Sequence, residues 1–375
     1  MTEIDYYDIV REKLNVEPLR VPKHEKTIEL LKVLWDEDVI KVLSYFPAIG
    51  KGGTSVKELI EKSGLEKNFI RTALKKAVDK KTIVKEGRAY GLAPLLPGIF
   101  EAYFIARQDT EENLNKAAKI FRYIFKHFPE FKPNFINPDF GLFRPLLPIG
   151  KDQKNLIEIN EAVNSETQVL TYELVEDLIN NNNEFAVIPC QCRYVGELSG
   201  EPCEVASADM GCFCAGRSAI AMVDAGIGRR LNKEEAIEYL KKTEKAGLVH
   251  CSSNSKGGEH LMFICNCCGC HCGALNPVKQ GYKTVVPSNY TPVVDEKTCV
   301  QCKVCVKKCP METISFNEEE NKVIINLDYC IGCGVCATNC AKNAIKMNKT
   351  KNEIPPEKNK VGGKVFMRHL SDLLI

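Results

Sequence analysis

Cys299-Val-Gln-Cys302-Lys-Val-Cys305-Val-Lys-Lys-Cys309-Pro310 and Cys330-Ile-Gly-Cys333-Gly-Val-Cys336-Ala-Thr-Asn-Cys340-Ala341 are two copies of one run, C-x2-C-x2-C-x3-C, about thirty residues apart. Eight thiols at two matching spacings do not follow from composition, even in a chain with 19 cysteines. Tight x2 turns bring three soft sulfurs to one small volume from a single loop, and a fourth has to arrive from elsewhere. Paired C-x2-C also occurs in zinc ribbons, but structural zinc seldom takes four cysteines from a single x2, x2, x3 run.

The spacing resembles that of bacterial two-cluster ferredoxins. That resemblance implies two [4Fe-4S] clusters, the fourth cysteine of each run ligating the cluster of the other. Cys299, Cys302, Cys305 and Cys340 are then expected to hold one cluster, and Cys330, Cys333, Cys336 and Cys309 the second. The flanking sequence agrees with such a module: 291–295 and 344–347 read as outer strands, 323–327 is apolar and β-branched, and 318–322 makes a polar turn. A ferredoxin-like two-cluster domain is placed at 289–348, with a C-terminal tail at 349–375.

A module of that size is a small part of 375 residues, and the rest has room for further domains with their own cores. A net charge of +2 makes no strong electrostatic call on nucleic acid or acidic membranes. The start, Met1-Thr-Glu-Ile-Asp5, has neither a basic n-region nor an apolar h-region, so the cysteines point to a reducing cytoplasm and not to disulfides. Lys, Ile, Asn and Glu usage fits an anaerobic or thermophilic source. The most apolar stretch, 91–106, contains Pro94, Pro97, Gly98 and Glu101 and is shorter than the ~20 residues a spanning helix needs. It reads as a buried helix, and no membrane insertion is expected.

Ile28, Leu31, Leu34, Trp35, Val39, Val42, Leu43 and Phe46 recur at helical spacing across 25–46. Ser55 and Glu58 form a capping box opening a short helix that Gly64 closes. A third helix at 66–80 and a two-stranded wing at 83–92, turning at Gly87, make residues 1–110 resemble a winged helix-turn-helix. The third helix carries Lys67, Arg71, Lys75, Lys76 and Lys80, so DNA enters as a candidate partner. Yet 1–110 holds 19 Lys or Arg against 17 Asp or Glu, and a docking or dimerisation module is the preferred reading. A helix at 112–127 and a connector rich in Pro and Phe, with Pro129, Pro133, Pro138, Pro145 and Pro148, occupy 111–150.

The other eleven cysteines lie between 190 and 272. Cys265-Asn-Cys267-Cys268-Gly-Cys270-His-Cys272 puts five sulfurs in eight residues after a strand-like 261–264, and Cys190-Gln-Cys192 ends the strand 185–189 in the same way. Two strand ends delivering sulfurs to one sheet edge would build one or more soft-metal sites. Helices at 166–180, 215–225 and 232–246, the last opened by Asn232 and Glu235 and stopped by Gly247, and a strand at 248–251 complete the pattern. Residues 151–288 read as a cysteine-rich α/β domain with a partly parallel central sheet. The candidate ligands are Cys190, Cys192, Cys212, Cys214, Cys251, Cys265, Cys267, Cys268, Cys270 and Cys272. Further Fe-S clusters are the first expectation for them. Zinc, with His250, His260 or His271 as mixed ligands, is the alternative, and free or redox-active thiols are a third. A single residue such as Cys203 can be plain core. Arg193, beside Cys192, reads either as a stabiliser of a negative cluster or as a surface salt bridge.

Cys267-Cys268-Gly269 resembles the CCG motif of heterodisulfide reductase subunits, whose noncubane clusters are catalytic, but Cys299 and Cys302 belong to the ferredoxin run and no second CCG exists. Ala225-Gly-Ile-Gly228 fails G-x-G-x-x-G and follows a helix, so neither flavin nor NAD binding is supported. The order of parts is similar to that of archaeal and bacterial 4Fe-4S binding proteins that join a winged-helix-like N-terminus, a cysteine-rich middle and a two-cluster ferredoxin end. The reading is an α+β multidomain electron-transfer protein that relays low-potential electrons between donor and acceptor redox proteins of anaerobic metabolism. Two rivals stay open, a catalytic oxidoreductase subunit using a middle-domain cluster and a redox-sensing DNA-binding regulator. The sequence leaves the oligomeric state open.

Overall fold

The structure is a computed structural model that describes residues 4–16, 20–131, 141–149, 157–158, 174–254 and 262–356. The start of the helix expected at 166–180, much of the Pro-rich connector and His260 lie outside these residues. Two compact units divide the chain. One is built from 1–140 with 193–202 and 360–375, the other from 141–192 with 203–359.

In the first unit, α1 (Tyr6–Lys13), α2 (Glu25–Leu34) and α3 (Glu37–Leu43) precede β1 (Thr54–Ser55), α4 (Val56–Ser63), α5 (Lys67–Asp79), β2 (Ile83–Glu86) and β3 (Ala89–Leu92). The periodic stretch 25–46 is two helices and not one. Trp35 leaves the helical conformation to donate its indole N–H to Thr82 Oγ1 at 2.8 Å, and Asp36 caps the next helix by accepting from the Val39 N–H at 2.9 Å. Ser55 and Glu58 make the expected reciprocal cap of α4, and the strands form a sheet of order β1-β3-β2. The apolar stretch 91–106 is helical only in α6 (Phe100–Ala106), since Pro97 and Gly98 adopt non-helical backbone before it. Against α6 packs α7 (Glu111–Lys126), Phe100 and Phe104 both meeting Phe121. Residues 193–202 return to this pair: Arg107 stacks 3.8 Å above the Tyr194 ring, and Glu201 pairs with Arg122 and Lys126.

The second unit contains β4 (Phe143–Pro145), β5 (Ile157–Glu158), α8 (Val175–Asn180), β6 (Phe185–Ile188), α9 (Gln191–Leu198), whose first two residues belong here, β7 (Cys212–Ala215), α10 (Arg217–Asp224), β8 (Arg229–Leu231), α11 (Lys233–Ala246), β9 (Val249–Ser253) and β10 (Met262–Cys267). Its six-stranded sheet has the order β4-β9-β10-β7-β6-β8, and every neighbouring pair is antiparallel. This corrects the expectation of a partly parallel sheet. The helices α10 and α11 do join strands of like direction, β7 to β8 and β8 to β9. One oppositely running strand, β6, lies between β7 and β8, and β6, β7 and β10 lie between β8 and β9, so helix-strand alternation fixes the crossover but not the neighbour.

One face of the sheet carries Phe185, Val187, Phe213, Ala215 and Ile264 onto an apolar core with Leu231, Ala236 and Leu240. The other face, by the period of two along each strand, carries the cysteines. The same unit continues through α12 (Leu275–Lys279), β11 (Tyr290–Val294), α13 (Val304–Lys308), β12 (Ile314–Asn317), β13 (Lys322–Ile325), α14 (Val335–Thr338) and β14 (Ile345–Lys349). β11 pairs with β14 and β12 with β13, both antiparallel, and β5 adds in parallel to β14. Lys308 Nζ caps the carbonyls of Lys245 and Ala246 at the C-terminus of α11, where the helix dipole favours a cation. Asn339 also donates to the carbonyl of Glu244 at 3.0 Å. The two cysteine-bearing halves are therefore stitched together along α11.

Candidate metal centres

Antiparallel pairing brings four strand ends to one edge. The chain leaves β6 at Ile188 and reaches Cys190 two residues later, while Cys212 opens the adjacent β7 opposite Ile188. Cys265 and Cys267 lie at the end of β10, and Cys265 stands directly opposite Cys251 of β9. Gly211 makes the approach feasible: a Cβ there would sit 1.7 Å from the Ile188 carbonyl oxygen. Cys192, in the first turn of α9, and Cys272, in the loop after β10, join from outside the sheet.

These thiols sense one another. Cys190 is the main cause that lifts Cys192 well above the ordinary thiol range, ahead of burial and Cys272; Cys190 and then Cys265 do the same to Cys212. Cys251, Cys265 and Cys272 lift Cys267, and burial lifts Cys214, which stands opposite Phe263 further along the face. Cys251 is raised too, its contact with Cys267 failing to offset burial. Crowded buried thiols resist ionisation until a cation arrives, and a soft metal reverses that preference. Seven sulfurs in this basin, Cys190, Cys192, Cys212, Cys251, Cys265, Cys267 and Cys272, are more than one cubane consumes.

Cys268 and Cys270 belong to a different group. With Cys203 and His271 they place four ligand atoms within 4.8 Å of one another. Cys203 stands alone in the sequence, with no second cysteine near enough to make a motif, so the sequence leaves it open as core and does not name it among the candidate ligands. His250 is not in either group: it lies on the opposite face of the sheet, buried, with Nδ1 2.8 Å from Asn266 Oδ1 and Nε2 3.0 Å from Glu244 Oε1. Arg193 is fully buried on α9, which removes the surface salt-bridge reading.

In the C-terminal half, Cys309, Cys330, Cys333 and Cys336 line one cavity, walled by Met311, Ile314, Ile331 and Met347. Burial raises the thiols of Cys330, Cys333 and Cys336, and the charge of Cys309 acts on all three. The backbone N–H groups of Gly332, Val335 and Ala337 pull the other way. Four sulfurs around an apolar cavity with amides aimed at them fit a [4Fe-4S] cluster, which takes four thiolates and is tuned by N–H donors. In the first run, burial raises Cys305, which also senses Cys299 and Cys302. Cys305 shares an apolar cluster with Cys340, and Cys340 accepts the Ala344 N–H at 3.3 Å.

The two halves meet at these sulfurs. Cys251, Cys265, Cys267 and Cys272 of the basin and Cys309 and Cys333 of the cavity lie in one apolar cluster with Val249, Met311 and Ile331. Gly269, in the loop after β10, packs its backbone on the carbonyl of Pro310, next to Cys309. Cys302, by contrast, is solvent-exposed, between exposed Val300 and Val304.

Residues 291–357 match the sequence model of the 4Fe-4S dicluster domain family. No curated protein and no solved structure matches the chain. The match covers the second cysteine-bearing half of unit two and supports iron-sulfur electron transfer as the general chemistry of that half. Among the described residues no helix is long and apolar enough to cross a membrane.

Proposed function

We propose that the chain is a multi-cluster electron relay with a fixed order of centres. Cys299, Cys302, Cys305 and Cys340 hold the outer cluster, which exchanges electrons with a redox protein at the exposed Cys302. Cys330, Cys333, Cys336 and Cys309 hold the inner cluster. A further Fe-S centre in the sheet-edge basin is the next station, passing low-potential electrons to an acceptor in an oxygen-poor cytoplasm. The observation that carries this reading is the shared apolar cluster of Cys309 and Cys333 with Cys251, Cys265, Cys267 and Cys272. Such packing leaves little insulating distance between inner cluster and basin.

The first unit serves as a docking module, its helix and hairpin order resembling a winged helix. Charge supports docking over DNA: three of the five cations on or ending α5 are engaged by carboxylates, Lys75 by Asp79, Lys76 by Asp36 and Lys80 by Asp109. A catalytic role for the basin is the second reading, favoured by its surplus of sulfurs over one cubane.

Iron analysis and EPR on protein purified without oxygen test the relay. Two ferredoxin clusters account for about eight irons. The expected result is a content near twelve that drops by about four in Cys265→Ser while both ferredoxin signals persist. A content of eight that Cys265→Ser leaves unchanged removes the basin from the relay. Cys302→Ser should abolish one ferredoxin signal, and retention of both would sink the ligand assignment.

A further inference from the structure

We infer that Cys203, Cys268, Cys270 and His271 form a mononuclear, tetrahedral zinc site separate from every iron-sulfur centre. Their three Sγ atoms and one imidazole nitrogen all lie within 4.8 Å of each other, and Cys203 Sγ is 3.2 Å from Cys270 Sγ. A single zinc ion with Zn–S near 2.3 Å holds its sulfurs roughly 3.8 Å apart in a tetrahedron. A cubane binds each cysteine to a different iron and so spreads the sulfurs wider than one ion does. Three sulfurs and one nitrogen also make the closed Cys3His set of structural zinc, with no position left for water.

The surroundings agree with a structural ion. Cys268 is buried, and Ala206, Leu248, Ala246 and Met210 pack around the group. The backbone N–H of His271 donates to Cys268 Sγ at 3.3 Å, a contact that orients a thiolate ligand. The strand explains why neighbours Cys267 and Cys268 serve different sites. Cys267 is the last residue of β10 and faces the basin, and the chain turns as the strand ends. The ion would tie the loop beginning at Cys203 to the turn at 268–271. That turn also carries Gly269, which abuts Pro310. Zinc thus holds the wall between basin and inner ferredoxin cluster without itself carrying electrons.

The test is zinc analysis and zinc-edge X-ray absorption on the full chain, purified without oxygen from cells supplied with both metals. The absorption edge sees zinc alone, whatever iron is bound. The expected result is about one zinc per chain with three sulfurs near 2.3 Å and one nitrogen near 2.0 Å. Full iron loading with no zinc, or a zinc shell of four sulfurs or of oxygens, overturns the site. Cys203→Ser should lose the zinc and keep its iron. In a Cys203→Ser protein that stays folded, zinc retained at the wild-type level, or iron lost together with zinc, overturns it equally. Should that variant not fold, the wild-type shell decides.

Discussion

Gly269 has no space for a side chain, since a Cβ there would stand 2.2 Å from the Pro310 carbonyl oxygen, and the obstacle is backbone on both sides. Gly269→Ala must push the 268–271 turn away from Cys309-Pro310, and overpacking of this kind costs about 1–3 kcal/mol. The expected outcome is a lower thermal midpoint together with an altered EPR signal of the inner cluster, the outer one unchanged. Gly91→Ala is the control, because nothing lies within 4 Å of its added Cβ and its φ lies outside the left-handed region; its midpoint should stay within about a degree or two. Nothing in the spelling Cys268-Gly269-Cys270 announces this contact. The sequence shows that sulfurs are dense there, while the partner that makes glycine necessary lies forty-one residues away. Cys203 was illegible for the same reason, and His250 was ambiguous until the strand parity turned it toward Glu244.

At the scale of elements, the two ferredoxin loops repeat in backbone conformation as well as in sequence. Gln301 and Lys303 occupy the left-handed region, as do Gly332 and Gly334 at the equivalent places of the second loop. The first loop therefore carries strain that the second avoids, about 1–2 kcal/mol per non-glycine residue. Lys303 is retained with compensation, its ammonium 4.2 Å from the Phe316 ring centroid and paired with Glu318. Lys303→Gly should consequently change stability by less than about 1 kcal/mol. Gly334→Ala adds left-handed strain and brings a Cβ to 2.8 Å from Pro148 Cδ, so the inner cluster should be lost selectively in anaerobic iron and EPR measurements. A second element-level device joins α5, α6 and α7. Asp109 accepts from Lys80, Tyr103, Asn113 and the Thr110 N–H. Burial opposes its ionisation, but these bonds outweigh burial and hold its carboxyl below the usual value of 3.8. A depressed folded value means that the stabilisation is present above about pH 4 and disappears as pH falls through the folded value. Emission from Trp35, the sole tryptophan, should show unit one losing thermal stability below that pH, and Asp109→Asn should flatten the slope. Helix caps were the most legible elements, since Ser55 with Glu58 and Asn232 with Glu235 are local signals. Strand direction was not, because it depends on which strand intervenes, and no local pattern encodes that.

For the whole molecule, every cysteine lies between 190 and 340, and the segment 193–202 that belongs to unit one holds none. Metal ligation can therefore support only unit two, whose basin and cavity collect buried thiols in place of ordinary apolar side chains. Unit one has its own core of Leu30, Leu31, Leu34, Trp35, Phe100, Phe104 and Phe121, all fully or nearly fully buried. Binding free energy at a structural metal site is folding free energy, so stripping iron and zinc with a chelator under argon should unfold unit two alone. The expected signature is new protease cleavage within 203–356, with residues 20–131 still resistant and Trp35 emission still that of a buried indole. Two separate thermal transitions in the holoprotein should become one on metal removal, because two-state behaviour is not expected of a chain with two cores. If Trp35 became exposed in step with the loss of iron, the two units would be one cooperative body, and the assignment of unit one as an independent docking module would fall with that result.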